Sequence, residues 1–474
     1  MTKYIPTFGI EIHAELNTNT KAFSPAKIDF KAAPNTMVNP IDLGYPGAKP
    51  TVNKRMVEFS YRLAKVLEMN IEEKIFFDRK SYFFPDLPKG FQITQFFKPI
   101  GTKGKFNIVL EDGTTKDISI TEIHMEEDTA KQIKIPEGIL LDFNRCGVPL
   151  IEIVSGHEEL SSVEEVVAFV RQLRSQLVMM GINDGKMEEG SFRIDVNVSI
   201  RPEGQEEYGI RTEVKNLNSF ENITKAVNAE IERHITLYKN GEKPEVMTVR
   251  FDEETQKTIP MRLKDSGNDY NFIPEGNINP ITITQAMKEE FELASKDDIK
   301  FSEFISTWKD VMSNDEISVI TSNNDLFKLF NNLKNKVEIK DAINFIVNNI
   351  KSSIKESKLE EFRLEPEEVA SLIKFRKEGK ANSKQINKLI NKMFELDITE
   401  DIKEISSKEL MPDEDLKVIV VKLIEDNQEL VEKDRKTRPE RVEKFIMGQL
   451  MKETKGQASP VQANKIVKEV LWNK

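Results

Sequence analysis

The N-terminal half of the chain repeatedly sets carboxylates and imidazoles two residues apart. Glu11 and His13 stand so in GIEIHAEL, and Glu122, His124 and Glu126 in ISITEIHMEED. Side chains two apart on a strand point the same way, so each set is offered to one surface. Glu152 is the single acid within the apolar run PLIEIV, where an unpaired buried charge would be costly. Asp195 in FRIDVNVSIRP and Glu213 in GIRTEVKNL lie on segments whose other face is apolar. If these strands pair, their acids converge, and converging carboxylates repel one another unless a cation joins them. Hard oxygen donors with one imidazole suit Mg²⁺ or Mn²⁺. Such an ion holds ATP phosphates and offsets charge as a phosphoryl group moves. The plainer alternative for any one of these acids is a solvent-facing residue on a sheet with one wet face. Of the histidines, His13 is the better ligand candidate because Glu11 accompanies it. His157 and His234 read as surface loop or helix positions.

Other segments add or exclude chemistry. No phosphate-binding G-x-x-x-x-G-K-[ST] loop, G-x-G-x-x-G, G-x-S-x-G or H-E-x-x-H is present. A nucleotide, if bound, is therefore not held by a P-loop. The stretch FFDRKSYFFPDLPKGFQITQF mixes Arg79, Lys80 and Lys89 with aromatics, as groups that hold phosphate and stack on bases do. A core strand with a polar loop explains it equally well. Net charge is −11, which argues against indiscriminate coating of nucleic acid. Residues 429–474 are the exception, with 11 basic and 7 acidic groups. That basic amphipathic tail fits either an RNA backbone or a solvated helix face. The lone Cys146 excludes a disulfide framework and a Cys₄ zinc site, and suits a reducing cytosol.

The elements that must position these groups follow from periodicity. In FRIDVNVSIRP, Ile194, Val196, Val198 and Ile200 alternate with polar residues, which predicts a half-buried strand. Helices are predicted over 161–180, opened by Ser-Ser and two glutamates, and over 219–239, closed by Asn240-Gly241. Strands with intervening helices predict a mixed-sheet α+β domain. The aperiodic KDSGNDYNFIPEGNINP, 264–280, reads as a linker, and beyond about 285 the pattern is helical. The expected division is a cradle domain over 1–290, a helical domain over 291–405 and a small helical tail over 406–474. No run approaches the roughly 18 apolar residues of a membrane span, and no export signal is read.

Across these motifs the sequence resembles the GatB family, the B subunits of the bacterial glutamyl/aspartyl-tRNA amidotransferase. GIEIHAEL, NPIDLGYPGAKPTVN, FDRKSYFFPDLPKGFQITQ, IHMEEDTAK, NRCGVPLIEIVS, GSFRIDVNVSIRP, RTEVKNLNSF and MGQLMKETKGQASP carry the likeness in order along the chain. The resemblance implies a kinase-like cradle that uses ATP and Mg²⁺ to phosphorylate the side-chain carboxylate of Glu-tRNA(Gln) or Asp-tRNA(Asn). An amidase A subunit would supply ammonia, and a small C subunit would complete the heterotrimer. It makes Glu11, Glu126, Glu152, Asp195 and Glu213 catalytic candidates, and Glu11, His13, Glu126 and Glu152 metal ligands. Glu127 is the alternative to Glu126, since a one-residue slip flips the face. Lys80, Tyr82 and Lys89 become candidates for the ammonia route or acceptor end. Ser191, Arg193, Asn197, Lys215 and Asn216 would position substrate. Arg435, Lys436, Arg438, Arg441, Lys452 and Lys455 would grip tRNA. Asn271 stands where the family usually has arginine. Two rival readings remain: a tRNA-binding scaffold without catalysis, and an unrelated carboxylate–amine ligase.

Overall fold

The computed structural model describes residues 3–263, 270–357, 363–407, 411–435, 438–454 and 458–472. It comprises two compact units, Met1–Lys309 with Thr321–Asn324, and Asp310–Ile320 with Asp325–Lys474.

The first unit opens with β1 (Tyr4–Glu15), followed by the short strands β2 (Asn70–Ile71), β3 (Lys74–Ile75), β4 (Asp78–Ser81) and β5 (Phe91–Thr94). Then come β6 (Gly101–Val109), β7 (Thr115–Glu127), β8 (Lys131–Ile135), β9 (Gly138–Asp142) and β10 (Pro149–Ser155). The series ends with β11 (Phe192–Pro202), β12 (Thr212–Lys215), β13 (Met247–Asp252), β14 (Lys257–Leu263), β15 (Phe272–Pro274) and β16 (Ile281–Thr282). Among the described residues nine strands form one sheet in the order β14-β13-β12-β11-β1-β10-β7-β6-β2. Only the β12–β13 pair within it is parallel. The α+β architecture expected from the alternation is the one observed.

Alternation also sorts the two faces. Phe8, Ile10, Ile12 and Ala14 of β1 are buried with Ile123 and Met125, Ile151 and Ile153, and Ile194 and Val196 of the neighbouring strands. Helices α1 (Lys54–Val66), α2 (Val163–Met179) and α3 (Phe220–Lys239) pack against β7, β6 and β11. Each starts where a side chain caps it. Asn53 accepts from the backbone of Arg55 and Met56, Ser162 and Glu165 form a reciprocal capping box, and Ser219 caps α3.

Two sequence readings need correction. The stretch 264–280 is not a free linker where it is described (264–269 lie outside the described residues). Phe272–Pro274 pairs with β4, and Ile281–Thr282 pairs with β3. Phe272 stacks on Phe96 at 3.9 Å, and buried Glu275 takes a two-pronged ion pair from Arg79. His234, read as a surface residue, is fully buried. The buried stripe of α3 runs Ile223, Ala226, Val227, Glu230, His234, so two polar residues occupy core positions of the helix.

In the second unit, Pro366–Glu378 carries Pro at its first turn and ends at Gly379, whose φ of 73° suits glycine. Farther on, Leu416, Val420, Val442, Ile446, Leu450, Ile466 and Val467 make a separate apolar cluster from the helices Asp413–Asp426, Pro439–Glu453 and Pro460–Trp472.

The buried polar residues of α3 form a lock on β12. His234 Nε2 lies 2.9 Å from both Glu230 and Thr212 Oγ1, and Glu230 also accepts from Arg233 and Thr258. Burial opposes ionisation of Glu230, but hydrogen bonds from His234, Arg233 and Thr258 outweigh it and hold its carboxyl down at about 2. Glu230→Ala is expected to cost about 1–3 kcal/mol at neutral pH, because it leaves the buried donors that meet the carboxylate without an acceptor. The deficit, measured by urea denaturation, should shrink as pH falls from about 4.3, the unfolded value, towards about 2. A pH-independent deficit would show that the ionised carboxylate is not what holds the helix.

Candidate active site

Strand register composes the site on the polar face of the sheet. Directly opposed residues share a face, about 5 Å apart. One row runs Glu122, Val154, Glu11, Asp195. The next runs His124, Glu152, His13, Arg193, and a third runs Glu126, Leu150, Glu15. On the other side of Glu11 a row runs Gly9, Asn197, Glu213, Thr248. Acids far apart in the chain therefore meet because β1 lies between β10 and β11.

The acids form two groups rather than the single one expected. His13, Glu126 and Glu152 bring ligand atoms within 4.8 Å of one another, and Glu11, Asp195 and Glu213 do the same. Glu11 thus belongs with Asp195 and Glu213. In the first group Glu152 lies 3.3 Å from His13 Nε2 and 3.4 Å from His124 Nε2. Glu126 accepts from Thr94 at 2.7 Å and Gln92 at 3.1 Å. In the second, Asn197 donates to Glu11 at 3.0 Å and Thr248 to Glu213 at 2.7 Å. Lys215 pairs with Asp195 and lies 3.2 Å from Glu213.

The crowding shows in the protonation equilibria. Burial raises the Glu11 carboxyl, and repulsion from Glu152, Glu213 and Asp195 raises it further. Burial disfavours the His13 imidazolium, yet Glu152, Glu126 and Asp195 pull it up to about 9. Burial likewise opposes charge on Lys80 and Lys215, but nearby acids hold both ammoniums above their ordinary value. Glu152 goes the other way: burial works against its charge, and His124, His13 and Lys80 outweigh it.

A cavity of about 540 Å³ opens over the His13 end, and Lys80, Arg193, Asp195, Lys215 and Asn216 line it. Lys80 also sits 4.8 Å above the Tyr270 ring. Arg193 is clamped by Asp128 at 2.8 and 3.2 Å. Asn216 adopts φ 64°, a conformation asparagine tolerates better than most residues, as the chain turns from β12 into α3.

The remaining candidates lie elsewhere. Glu127 is buried in an ion pair with Lys89, so of the two adjacent acids it is Glu126 that joins the His13 group. Tyr82 meets Asp86 at 3.4 Å, and Ser191 is bonded into the turn at Asp184. In the second unit Arg438, Arg441 and Lys452 are exposed, and Arg441 pairs with Asp434. Lys436 and Lys455, with the Arg435 side chain, are outside what is described. Sequence reading passed over His124 as a site residue, although it shares a strand face with Glu126, and missed Thr94, Gln92, Asp128 and Thr248.

Residues 6–289 match the family model of the GatB/GatE catalytic domain, and residues 328–471 match that of the GatB domain. The chain belongs to the GatB family. It is 38% identical over 478 residues to the B subunit of the aspartyl/glutamyl-tRNA(Asn/Gln) amidotransferase of Mycoplasma mycoides subsp. mycoides, covering 98% of each chain. It is 38% identical over 470 residues to the protein of the same name from Ligilactobacillus salivarius, covering 97% of this chain and 98% of the relative. The Listeria monocytogenes protein of that name is likewise 38% identical, over 472 residues, with 97% and 98% covered. The polar sheet face described above thus lies within the segment that the GatB/GatE catalytic-domain model covers.

Cys146 is buried with Leu87 and Ala130 and lines neither the cavity nor the acid groups. Burial pushes its thiol up to about 12, with Glu127 adding to the effect. The native chain at pH 8 is expected to resist a thiol-specific disulfide reagent and to react with it fully in denaturant. Rapid labelling of the native chain would contradict that burial.

Proposed function

We propose that this chain is the activating subunit of a tRNA-dependent amidotransferase, a carbon–nitrogen ligase that takes its amido nitrogen from glutamine. It uses ATP with Mg²⁺, or Mn²⁺, to phosphorylate the side-chain carboxylate of Glu-tRNA(Gln), Asp-tRNA(Asn) or both. Supporting this most directly is the pair of acid groups on one sheet face, next to a cavity carrying two ammoniums. The donor chemistry fits a hard divalent ion: carboxylates dominate, with one imidazole and no thiolate. Glu11, Asp195 and Glu213 would hold one ion, and His13, Glu126 and Glu152 a second. Such ions supply neutralisation of the phosphoryl oxygens as charge moves between them.

The chain's own residues bind and orient. Lys80 and Lys215 keep positive charge at the cavity and attract a substrate that is anionic at its reacting end. Arg193, immobilised by Asp128, and Asn216 shape the wall against which the aminoacyl end rests. The substrate carboxylate oxygen attacks the terminal phosphorus of ATP, and ADP leaves. Ammonia released from glutamine by an amidase A subunit then attacks the acyl carbon. Phosphate departs with the bonding electrons, and the new amide nitrogen loses one proton to solvent. A small C subunit completes the heterotrimer, and the assembly works in the cytoplasm, where charged tRNA is. Among the described residues no helix is long and apolar enough to cross a membrane. Residues 1–290 form the catalytic cradle, 291–405 a helical connector, and 406–474 a tRNA-gripping tail through Arg435, Lys436, Arg438, Arg441, Lys452 and Lys455.

Three measurements test this reading on the reconstituted complex with mischarged tRNA. Glu11→Gln and Glu152→Gln are each expected to lower ATP-dependent amide formation at least about a hundredfold, while the partner's glutaminase rate persists. Wild-type amide yield from both would leave only a tRNA-binding scaffold. Removing the divalent ion with a chelator should stop amide formation, and added Mg²⁺ should restore it. Truncation after residue 411 is expected to weaken tRNA binding and flatten its salt dependence, since phosphate contacts set that slope. An unchanged slope would remove the tail from tRNA recognition.

A further inference from the structure

A second hollow, about 400 Å³, adjoins the 540 Å³ cavity. That volume is in the range of small-ligand pockets, about 300–1,000 Å³. Met187, Glu188, Glu189 and Asn218 line both spaces, so the two share a rim. Arg174 and Phe220 line only the smaller one, and both are half-buried. Arg174 donates from Nε to the Gly185 carbonyl and makes no ion pair among the described residues. Gly185 has φ 71°, and a Cβ there would meet Arg174 Nε at 2.9 Å, so glycine is what lets the guanidinium seat. Burial works against the Arg174 charge, and only Asp184 acts the other way. The hollow therefore holds a fixed cation with its terminal amino groups to spare, beside an aromatic ring.

The chemistry of an aminoacyl-tRNA dictates what lies at such a rim. The amino acid is esterified to a ribose hydroxyl of the terminal nucleotide. With its side-chain carboxylate in the larger cavity, the ribose must stand at the mouth, and the base and last phosphate just outside. Glu188, on the shared rim, has no hydrogen bond or ion pair among the described residues and can accept from the free ribose hydroxyl. Glu189 beside it is paired with Lys186 at 2.9 Å. Phe220, with the Arg171 guanidinium 5.0 Å from its centroid, offers a ring on which a base stacks. The free end of Arg174 suits a phosphodiester. None of the six acid-group residues lines the hollow, so a metal-bearing polyphosphate finds no ion ligands there. We propose that the hollow seats the 3′-terminal nucleotide of the tRNA, with its base against Phe220, its phosphodiester on Arg174 and its free ribose hydroxyl on Glu188. The placement rests on the activation reading above.

Fluorescence anisotropy on the reconstituted complex in Mg²⁺ tests it. The probe is a 5′-labelled CCA trinucleotide whose terminal ribose carries glutamate through a stable 3′-amide. Phe220→Ala and Arg174→Gln are each expected to weaken the probe at least about tenfold, as loss of a stacking side chain or of a charge-assisted phosphate contact does. ATP affinity, followed by calorimetry, should stay within about twofold. Phe220→Tyr should bind the probe as the wild type does. Glu188→Ala, at an exposed position, is expected to cost about three- to tenfold. That variant should bind a probe lacking the 2′-hydroxyl as well as it binds the intact one. Probe affinity unchanged in both Phe220→Ala and Arg174→Gln, or ATP weakened as much as the probe, would overturn the subsite while leaving activation intact. So would a wild-type complex that forms amide on mischarged tRNA yet does not bind the probe. A wild-type complex that forms no amide from ATP and mischarged tRNA would overturn the activation reading and the subsite together.

Discussion

The crowding of like charge on one sheet face is the constraint around which the first unit is built. Five carboxylates, Glu11, Glu126, Glu152, Asp195 and Glu213, share a surface with Lys80, Lys215 and His13. Repulsion among them would push the strands apart were the backbone free to respond. It is not: the opposite face is a continuous apolar layer, with Ile10, Ile12, Ile123, Ile151, Ile153, Ile194 and Val196 almost fully buried. Burial of that layer, at roughly 25 cal/mol per Å², holds the register that brings the acids together. Burial and repulsion raise the Glu11 carboxyl, while the same acids, Glu152 foremost, stabilise the His13 imidazolium.

The same logic explains the lock behind β12. That strand has four residues, yet carries both Glu213 and Lys215. A short strand bearing charge on one side needs anchoring on the other. Buried Val214 and Thr212 provide it, the latter through His234 and Glu230 of α3. Two polar groups in the core of an amphipathic helix cost desolvation, but hydrogen bonds to β12 and β14 offset it.

Much of this was legible in the sequence, and the failures share a cause. Period-two alternation marks which residues share a strand face, so Glu11 with His13, and His124 with Glu126, could be paired by inspection. Local capping chemistry likewise marks Ser162 and Ser219 as helix starts. What alternation does not reveal is which strands are neighbours. The order β11-β1-β10-β7 is non-sequential, and it decides that Glu11 joins Asp195 and Glu213 while His13 joins Glu152. His124 was passed over for the same reason: its significance lies in Glu152, on another strand. The stretch after 270 was misread because Pro and Gly mask a three-residue strand whose stability comes from Phe96 and Arg79, far away in sequence.

Charge within the two acid groups is only partly offset by the cations beside them. Within the two acid groups, five carboxylates stand against Lys80, Lys215 and the His13 imidazolium, so negative charge predominates there and a divalent cation is accommodated. His13 must shed its proton to ligate a metal, which deepens the deficit and makes room for more than one ion's charge. A polyphosphate arriving with its counter-ions would then meet a face near neutrality, whereas one arriving alone would be repelled. On the proposed reading, the acids therefore act less as individual bases than as a collective filter that admits phosphate only together with metal. On that reading Lys80 and Lys215, kept charged by their neighbours, would orient the anionic end of the second substrate.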